Sequence, residues 1–177
     1  MNIFVLDKDP MVAARMHMDA HIARQLMACA QLLSAAHVYL DGVALARVRI
    51  PHLIETIRDG ERDHRWAQWV RVSDINYRWV LDHMYALGME YNERFGLPSP
   101  HGTLAYELAL QPFGIPMCER HSEWPQTMPP QYRNSDPVEA YRNYYVFMKH
   151  DIRMSTTIKW SPPATIPTWW IELGGAK

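Results

Sequence analysis

The sequence has little of several features that would define its class at once. Only two of its 177 residues are cysteines, Cys29 and Cys118, so a disulfide-stabilised scaffold is not expected and both thiols are predicted to be unpaired. No apolar run approaches the roughly 20 residues that a membrane-spanning helix requires. There is also no basic start followed by an apolar segment, as in a secretory signal peptide. These absences predict a cytoplasmic protein without a membrane partner.

An excess of charge of either sign is also missing. The formal net charge is −1 and the isoelectric point is about 6.7, which excludes a strongly basic nucleic-acid-binding domain and requires any anion site to be local. Lysine supplies only four of the eighteen basic residues, and arginine supplies fourteen. Arginines combined with seven Trp, nine Tyr and four Phe suit a site that binds a base and its phosphate. They equally suit a core of aromatic rings below a surface of guanidinium groups, so both interpretations stay open.

The length and the residue pattern predict one mainly α-helical domain over residues 1–177, a helical bundle around a long N-terminal helix. Residues 2–6, of which 3–6 are apolar, predict a short N-terminal strand or a buried extended arm. Asp9 and Pro10 have the side chains typical of a helix start. Residues 11–40 contain no Pro or Gly and are rich in Ala, Met, Leu and Gln, which predicts a single long helix closed by Asp41 and Gly42.

The rest of the sequence predicts shorter elements joined by proline-rich loops. Residues 43–50 alternate partly like a strand, and six prolines between positions 112 and 137 predict an extended loop. Caps and helix-breaking residues predict further helices over 61–72, 74–95, 100–110 and 138–150. Residues 74–95 also contain Glu90 and Arg94, whose i, i+4 spacing is typical of a solvated ion pair.

A stripe of polar side chains follows one face of the predicted long helix. His17, His21, Arg24 and Gln31 fall within about 40° of one line at 100° per residue, with Ala28 and Ala35 between them. Small residues between polar ones can form the floor of a ligand groove, although a solvated stripe on a surface helix has the same pattern. We therefore predict His17 and His21 as catalytic candidates and Arg24 and Gln31 as ligand-binding candidates.

Asp19 lies near the apolar side of the same predicted helix. A carboxylate there must be paired or hydrogen-bonded if it is buried. It is either a structural partner of an arginine or an acid with a perturbed pKa, and it is the third catalytic candidate.

The i, i+4 spacing of His17 and His21 is also compatible with a shared metal ion. A third ligand would have to come from elsewhere, and the candidates are Asp or Glu side chains and the histidines His52, His64, His101 and His121. Because no such ligand is specified and no HExxH motif is present, we predict neither a metal ion nor a cofactor.

A second constellation lies on the predicted C-terminal helix. Tyr141, Tyr145 and Lys149 align at i, i+4 and i+8, and Arg142 flanks them. Tyrosines beside cations suit a stacked base with its phosphate. A helix that buries its rings and extends its polar groups into water gives the same pattern. These four residues complete the predicted ligand-binding set.

The chain resembles a group of small bacteriophage-encoded proteins over nearly its whole length. The resemblance rests on Asn2-Ile3-Phe4-Val5-Leu6-Asp7, on His17-Met18-Asp19-Ala20-His21, on Ala30-Gln31-Leu32-Leu33-Ser34 and on Ala140-Tyr141-Arg142-Asn143-Tyr144-Tyr145. That group is remotely similar to the pyrimidine-dimer DNA glycosylases of the phage endonuclease V type. The resemblance implies an all-helical enzyme that uses an N-terminal amine and a glutamate on its first helix.

This sequence departs from the implied pattern at two positions. If His17 occupies the place of the first-helix histidine, Arg24 occupies the place of the catalytic glutamate, and Asp19 or His21 would have to substitute for it. Asn2 is too large for efficient removal of Met1, so the amine of a processed second residue is not expected.

Two functions remain open from the sequence. The first is a base-excision glycosylase and abasic-site lyase, in which an amine attacks C1′, Asp19 or His21 transfers protons, and phosphates contact Arg24, Arg142 and Lys149. The second is a non-catalytic binder of a nucleotide or of a host protein. In either case we predict that the polar stripe lines one pocket, which Arg142 and at least one of Tyr141, Tyr144 and Tyr145 reach from the C-terminal helix.

Overall fold

The computed structural model describes residues 3–54, 64–147 and 158–175. Within these ranges the chain forms helices and no β-strand, which confirms the mainly α-helical class. The helices are α1 (Pro10–Arg15), α2 (Asp19–Asp41), α3 (Val43–Arg49), α4 (Arg65–Arg71), α5 (Asp74–Phe95), α6 (Gly102–Leu108), α7 (Pro137–Phe147) and α8 (Thr168–Glu172). No helix in this part of the chain is both long and apolar enough to cross a bilayer.

The N-terminal residues form a buried arm. Residues 3–6 are at most 7% exposed and have no strand partner, and the backbone N–H of Phe4 donates to Oε1 of Gln25 at 3.2 Å. Asp9 then caps α1, because its Oδ1 accepts hydrogen bonds from the N–H groups of Met11 and Val12. The arm therefore holds residues 3–6 inside the core.

The prediction of one uninterrupted helix over residues 11–40 is wrong, because the chain leaves the helical path between α1 and α2. Met18 is extended, with φ −67° and ψ 153°. Its N–H donates to the hydroxyl of Tyr145 at 3.0 Å, and the N–H of Asp19 donates to the carbonyl of Lys159 at 2.9 Å. Partners far along the chain thus satisfy the backbone groups that the break exposes, and helix propensity contains no information about them.

The strand-like pattern of residues 43–50 is also misleading, since Val43–Arg49 forms α3. Gly42 joins α2 directly to α3 with φ at 80°, a left-handed conformation that glycine adopts without a steric penalty. Arg49 then reaches back to Asp41 with an Nη1–Oδ2 distance of 2.6 Å. The Asp41 carboxylate is buried, and its ion pair with Arg49 stabilises the connection between α2 and α3.

Helix α5 lies at the centre of the fold and packs against α1, α2, α4 and α6. Both of its predicted ends are confirmed. Ser73 caps the N-terminus by accepting from the N–H of Asn76 at 3.1 Å, and Gly96 ends the helix with φ at 64°.

The other predicted helices are present, and α6 is shorter at both ends than the predicted 100–110. Residues 61–63 and 148–150, which the predictions assigned to the starts or ends of helices, lie outside the described residues. The proline-rich loop is confirmed as irregular apart from a 3-10 turn at Pro130–Tyr132. It covers the core with the buried side chains of Trp124 and Met128, and Trp124 packs edge-on against Trp79.

Candidate functional site

The two predicted catalytic histidines, His17 and His21, meet in the interior at the hydroxyl of Tyr145. Nδ1 of His21 lies 2.8 Å from this oxygen, and Nδ1 of His17 lies 3.3 Å from it. The same oxygen accepts the hydrogen bond from the Met18 N–H. Phe4 stacks on the His21 ring with an interplanar angle of 5°. The polar stripe therefore turns inward at its N-terminal end, where it belongs to a buried network.

Burial keeps these histidines neutral near pH 7. Desolvation is the largest cause in each case, and it lowers the pKa of His17 well below 6.5 and that of His21 to about 4. His83, whose ring centroid lies 5.5 Å from that of His17, has its pKa lowered to about 4 for the same reason. The pKa of Tyr145 is raised by burial, so its hydroxyl stays protonated.

Tyr145→Phe is expected to destabilise the protein by about 2–3 kcal/mol, because it leaves the buried N–H of Met18 and two imidazole nitrogens without their partner. Urea denaturation at pH 7.5 measures the change. Tyr39→Phe is the matched control, since Tyr39 is 56% exposed, and we expect its stability to stay within about 0.5 kcal/mol of wild type. Equal effects of the two substitutions would contradict a structural role for the Tyr145 hydroxyl.

Asp19, the third catalytic candidate, belongs to a buried ion network centred on Arg94. The Arg94 side chain is fully buried, and its Nη1 lies 3.2 Å from Oδ1 of Asp19. Nε and Nη2 of Arg94 both donate to Oε2 of Glu90, at 2.9 and 2.6 Å. The remaining donors reach the carbonyls of His17 and Arg15 at the break between α1 and α2. The expectation that Glu90 and Arg94 form a solvated pair is therefore wrong.

A groove with a volume of about 540 Å³ lies beside this network, between α1, α5 and residues 163–167. Arg15, Glu90 and Glu93 supply charged groups to its lining, and Met16 and Pro163 supply apolar ones. Oε1 of Glu90, the oxygen that Arg94 does not bind, lies 3.6 Å from Nε of Arg15. The groove thus contains the nearly buried carboxylate of Glu90. Arg94 binds its Oε2, and its Oε1 lies beside the exposed guanidinium group of Arg15.

The other predicted binding residues lie apart from this groove. Arg24 is exposed and Gln31 is half-buried on α2, and neither contributes to the groove lining. Arg142 donates from Nε to the carbonyl of Leu6 at 2.8 Å and forms an ion pair with Asp7. Its guanidinium carbon lies 5.4 Å from the ring centroid of Trp169. The arginine therefore ties the N-terminal arm to α7 and α8.

The two remaining residues of the predicted set have different outcomes. Tyr141 is buried, its hydroxyl donates to the carbonyl of Pro125 and accepts from Nε1 of Trp66, and its ring packs edge-on against Phe4. Lys149 lies outside the described residues, as do Met1 and Asn2 and with them the N-terminal amine that the resemblance implies. The structure thus brings His17, His21 and Tyr145 together, whereas Arg24 and Gln31 lie elsewhere.

The described part of the chain contains no group of three or more His, Cys, Asp or Glu side chains that could hold a metal ion. His17 and His21 instead direct their Nδ1 atoms at the Tyr145 hydroxyl.

The sequence predicted neither Arg15 nor the Glu90–Arg94 pair as part of the functional site, and it gave that pair only as a solvated one. A signal for the pair exists on α5, where Val80, His83, Leu87, Glu90 and Arg94 recur at helical spacing and all are buried. A charged pair that continues an apolar stripe indicates a buried ion pair. No comparable sequence signal marks Arg15, because its position depends on where α1 ends.

Comparisons with protein-family models, with curated proteins and with solved structures found no match for this chain.

Proposed function

We propose that the protein acts on DNA or on a nucleotide and cleaves an N-glycosyl bond in the groove, with Glu90 as its acidic group. The observation that carries the proposal is the Glu90 carboxylate, which Arg94 fixes through Oε2 while Oε1 stays beside Arg15 in the groove. Cleavage of an N-glycosyl bond develops positive charge on the sugar, and a fixed carboxylate stabilises that charge. The same oxygen can accept a proton from an attacking water molecule.

The chain resembles phage proteins that are only remotely similar to the glycosylases of the endonuclease V type, and the proposal accounts for its departure from the pattern of those enzymes. Those enzymes use a glutamate on the first helix, where this chain has Arg24. Glu90 supplies a glutamate from α5, and Asp19 supports it indirectly because both carboxylates bind Arg94. Arg15, whose side chain is 70% exposed, is the cation available for a phosphate. From the resemblance to bacteriophage-encoded proteins, we propose that this activity takes place in the cytoplasm of the infected cell.

A base-release assay tests this proposal. Ultraviolet-irradiated duplex DNA, abasic duplex DNA and free nucleosides are each incubated with the protein, and released base and strand cleavage are measured. Release of base from the irradiated duplex or from a nucleoside is the expected result. Borohydride then separates two mechanisms, because a trapped covalent adduct indicates attack by an amine and its absence indicates attack by water. If none of the three substrates is turned over, the proposed activity is wrong.

A non-catalytic nucleotide binder, or a binder of a host protein, is the second candidate, and the charge of the groove favours it. Among the described residues, the groove lining contains two glutamates and one arginine, and that arginine already lies near one of the glutamates. Such a site suits a small ligand better than the polyanionic backbone of a duplex. Binding without turnover, with an affinity nearly independent of salt, is the result that this candidate predicts.

A further inference from the structure

A second cavity lies between α2, α5 and α6, and we refer to it as the α5–α6 pocket. Its volume is about 130 Å³, close to the roughly 150 Å³ of an engineered cavity that binds benzene, but it opens to solvent, since Asn92 and Tyr106 in its lining are exposed. Tyr85, Gly88 and Asn92 line it from α5 at i, i+3 and i+7, whereas Glu90 and Glu93 face the groove from another side of the same helix. The pocket is therefore a separate site with room for one six-membered ring.

The walls of the α5–α6 pocket suit an aromatic ligand. The rings of Tyr85 and Tyr106 pack edge-on with their centroids 5.9 Å apart. Tyr85 also donates its hydroxyl hydrogen to the carbonyl of Ala105 at 2.9 Å, which fixes its ring orientation. Met84 and Met89 add thioether groups, which contact aromatic rings favourably. Aromatic and sulfur-containing walls favour a planar, polarisable ring over an aliphatic chain.

The polar groups of the α5–α6 pocket are neutral. Asn92, Ser99 and His101 contribute an amide, a hydroxyl and an imidazole. Burial lowers the pKa of His101 below 6.5, so this imidazole is uncharged near pH 7. Among the described residues that line the pocket there is no Asp, Glu, Lys or Arg. Hydrogen-bond donors and acceptors without charge match a neutral heterocycle rather than a phosphate or a carboxylate.

We propose that the α5–α6 pocket binds a neutral pyrimidine base. The ring contacts the tyrosine and methionine side chains, and its alternating carbonyl and N–H groups bond to Asn92, Ser99 and His101. A pyrimidine has the size of benzene and adds the polar edge that these three residues complement. This proposal does not depend on Glu90 or on any reaction in the groove.

Isothermal titration with thymine, uracil and benzene tests the proposal on the full chain. We expect thymine or uracil to bind about tenfold more tightly than benzene, because only the bases use the polar side chains. Asn92→Leu is expected to weaken base binding about tenfold and to leave benzene binding unchanged. Benzene binding as tightly as the bases, or no base binding at millimolar concentration, would overturn the proposal.

A space-filling variant identifies the site of binding. Gly102 lines the pocket, and a Cβ atom added there meets no heavy atom within 4 Å, so Gly102→Val introduces its Cβ atom at the pocket without a clash. We expect this variant to weaken thymine binding about tenfold. Thr103→Val is the control, since Thr103 is exposed and does not line the pocket. If Gly102→Val binds thymine as wild type does while its melting temperature is unchanged, the base does not occupy this pocket.

Discussion

Arg94→Met is expected to destabilise the protein by about 3–5 kcal/mol, the largest effect of any single substitution considered. Arg94 is the shared partner of the Glu90 and Asp19 carboxylates and of two backbone carbonyls at the break between α1 and α2. Methionine fills a similar volume but donates no hydrogen bond, so the Glu90 carboxylate and two backbone carbonyls lose their Arg94 donors in a buried environment, while Asp19 keeps the hydrogen bonds from Ser161. Urea denaturation at pH 7.5 measures the free energy of unfolding.

The matched control is Arg15→Met, which removes an arginine from the same region with a side chain that is 70% exposed. Its effect is expected to stay within about 1 kcal/mol. The double variant of Arg94→Met with Glu90→Gln should recover part of the loss, because it removes one of the uncompensated charges. An Arg94→Met protein as stable as the Arg15→Met protein would show that the buried network does not stabilise the fold.

The protein is also expected to lose stability steeply as the pH falls from 6.5 to 4. Burial lowers the pKa values of His21, His37 and His83 to about 4, and it lowers that of His17 well below 6.5. In this window the unfolded chain binds more protons than the folded one, so the free energy of unfolding rises with pH. Each group with a pKa near 4 contributes a loss of up to about 3 kcal/mol on acidification.

Urea denaturation at several pH values tests this dependence. We expect a plateau above about pH 7 and unfolding of most molecules before pH 4 is reached. Asp82 opposes the trend, because desolvation raises its pKa, but it is a single half-buried group. His83→Asn keeps an amide N–H donor near the position of Nδ1 for the carbonyl of Pro10, and it should reduce the pH dependence of the unfolding free energy by about one proton. A stability that does not change between pH 7 and 4 would contradict the burial of these imidazoles.

The sequence was sufficient where local chemistry determines the structure. Both ends of α5 were predicted correctly, because the Ser73 cap and the left-handed Gly96 act within one helical turn of the ends that they define. The alternative of a buried arm at residues 3–6 was confirmed for a related reason, since four consecutive apolar residues require burial on all sides.

Prediction failed where distant residues decide the outcome. The break at Met18 depends on Tyr145 and Lys159, which supply hydrogen-bond partners more than a hundred residues away. The direction of the polar stripe depends on the same contact, because His17 and His21 turn toward Tyr145 while Arg24 stays exposed. Neither result follows from helical periodicity, which gives a residue's angle on its helix and not the identity of the neighbouring element.

The most direct test of the proposed function compares Glu90→Gln with Glu93→Gln in the base-release assay under single-turnover conditions. Both glutamates line the groove, but only Glu90 is nearly buried and bound by Arg94. Thermal melting first verifies that both variants are folded. We predict that Glu90→Gln lowers the rate of base release about a hundredfold or more, while Glu93→Gln changes it less than about threefold. Equal rates for Glu90→Gln and wild type would contradict the assignment of Glu90 as the acidic group.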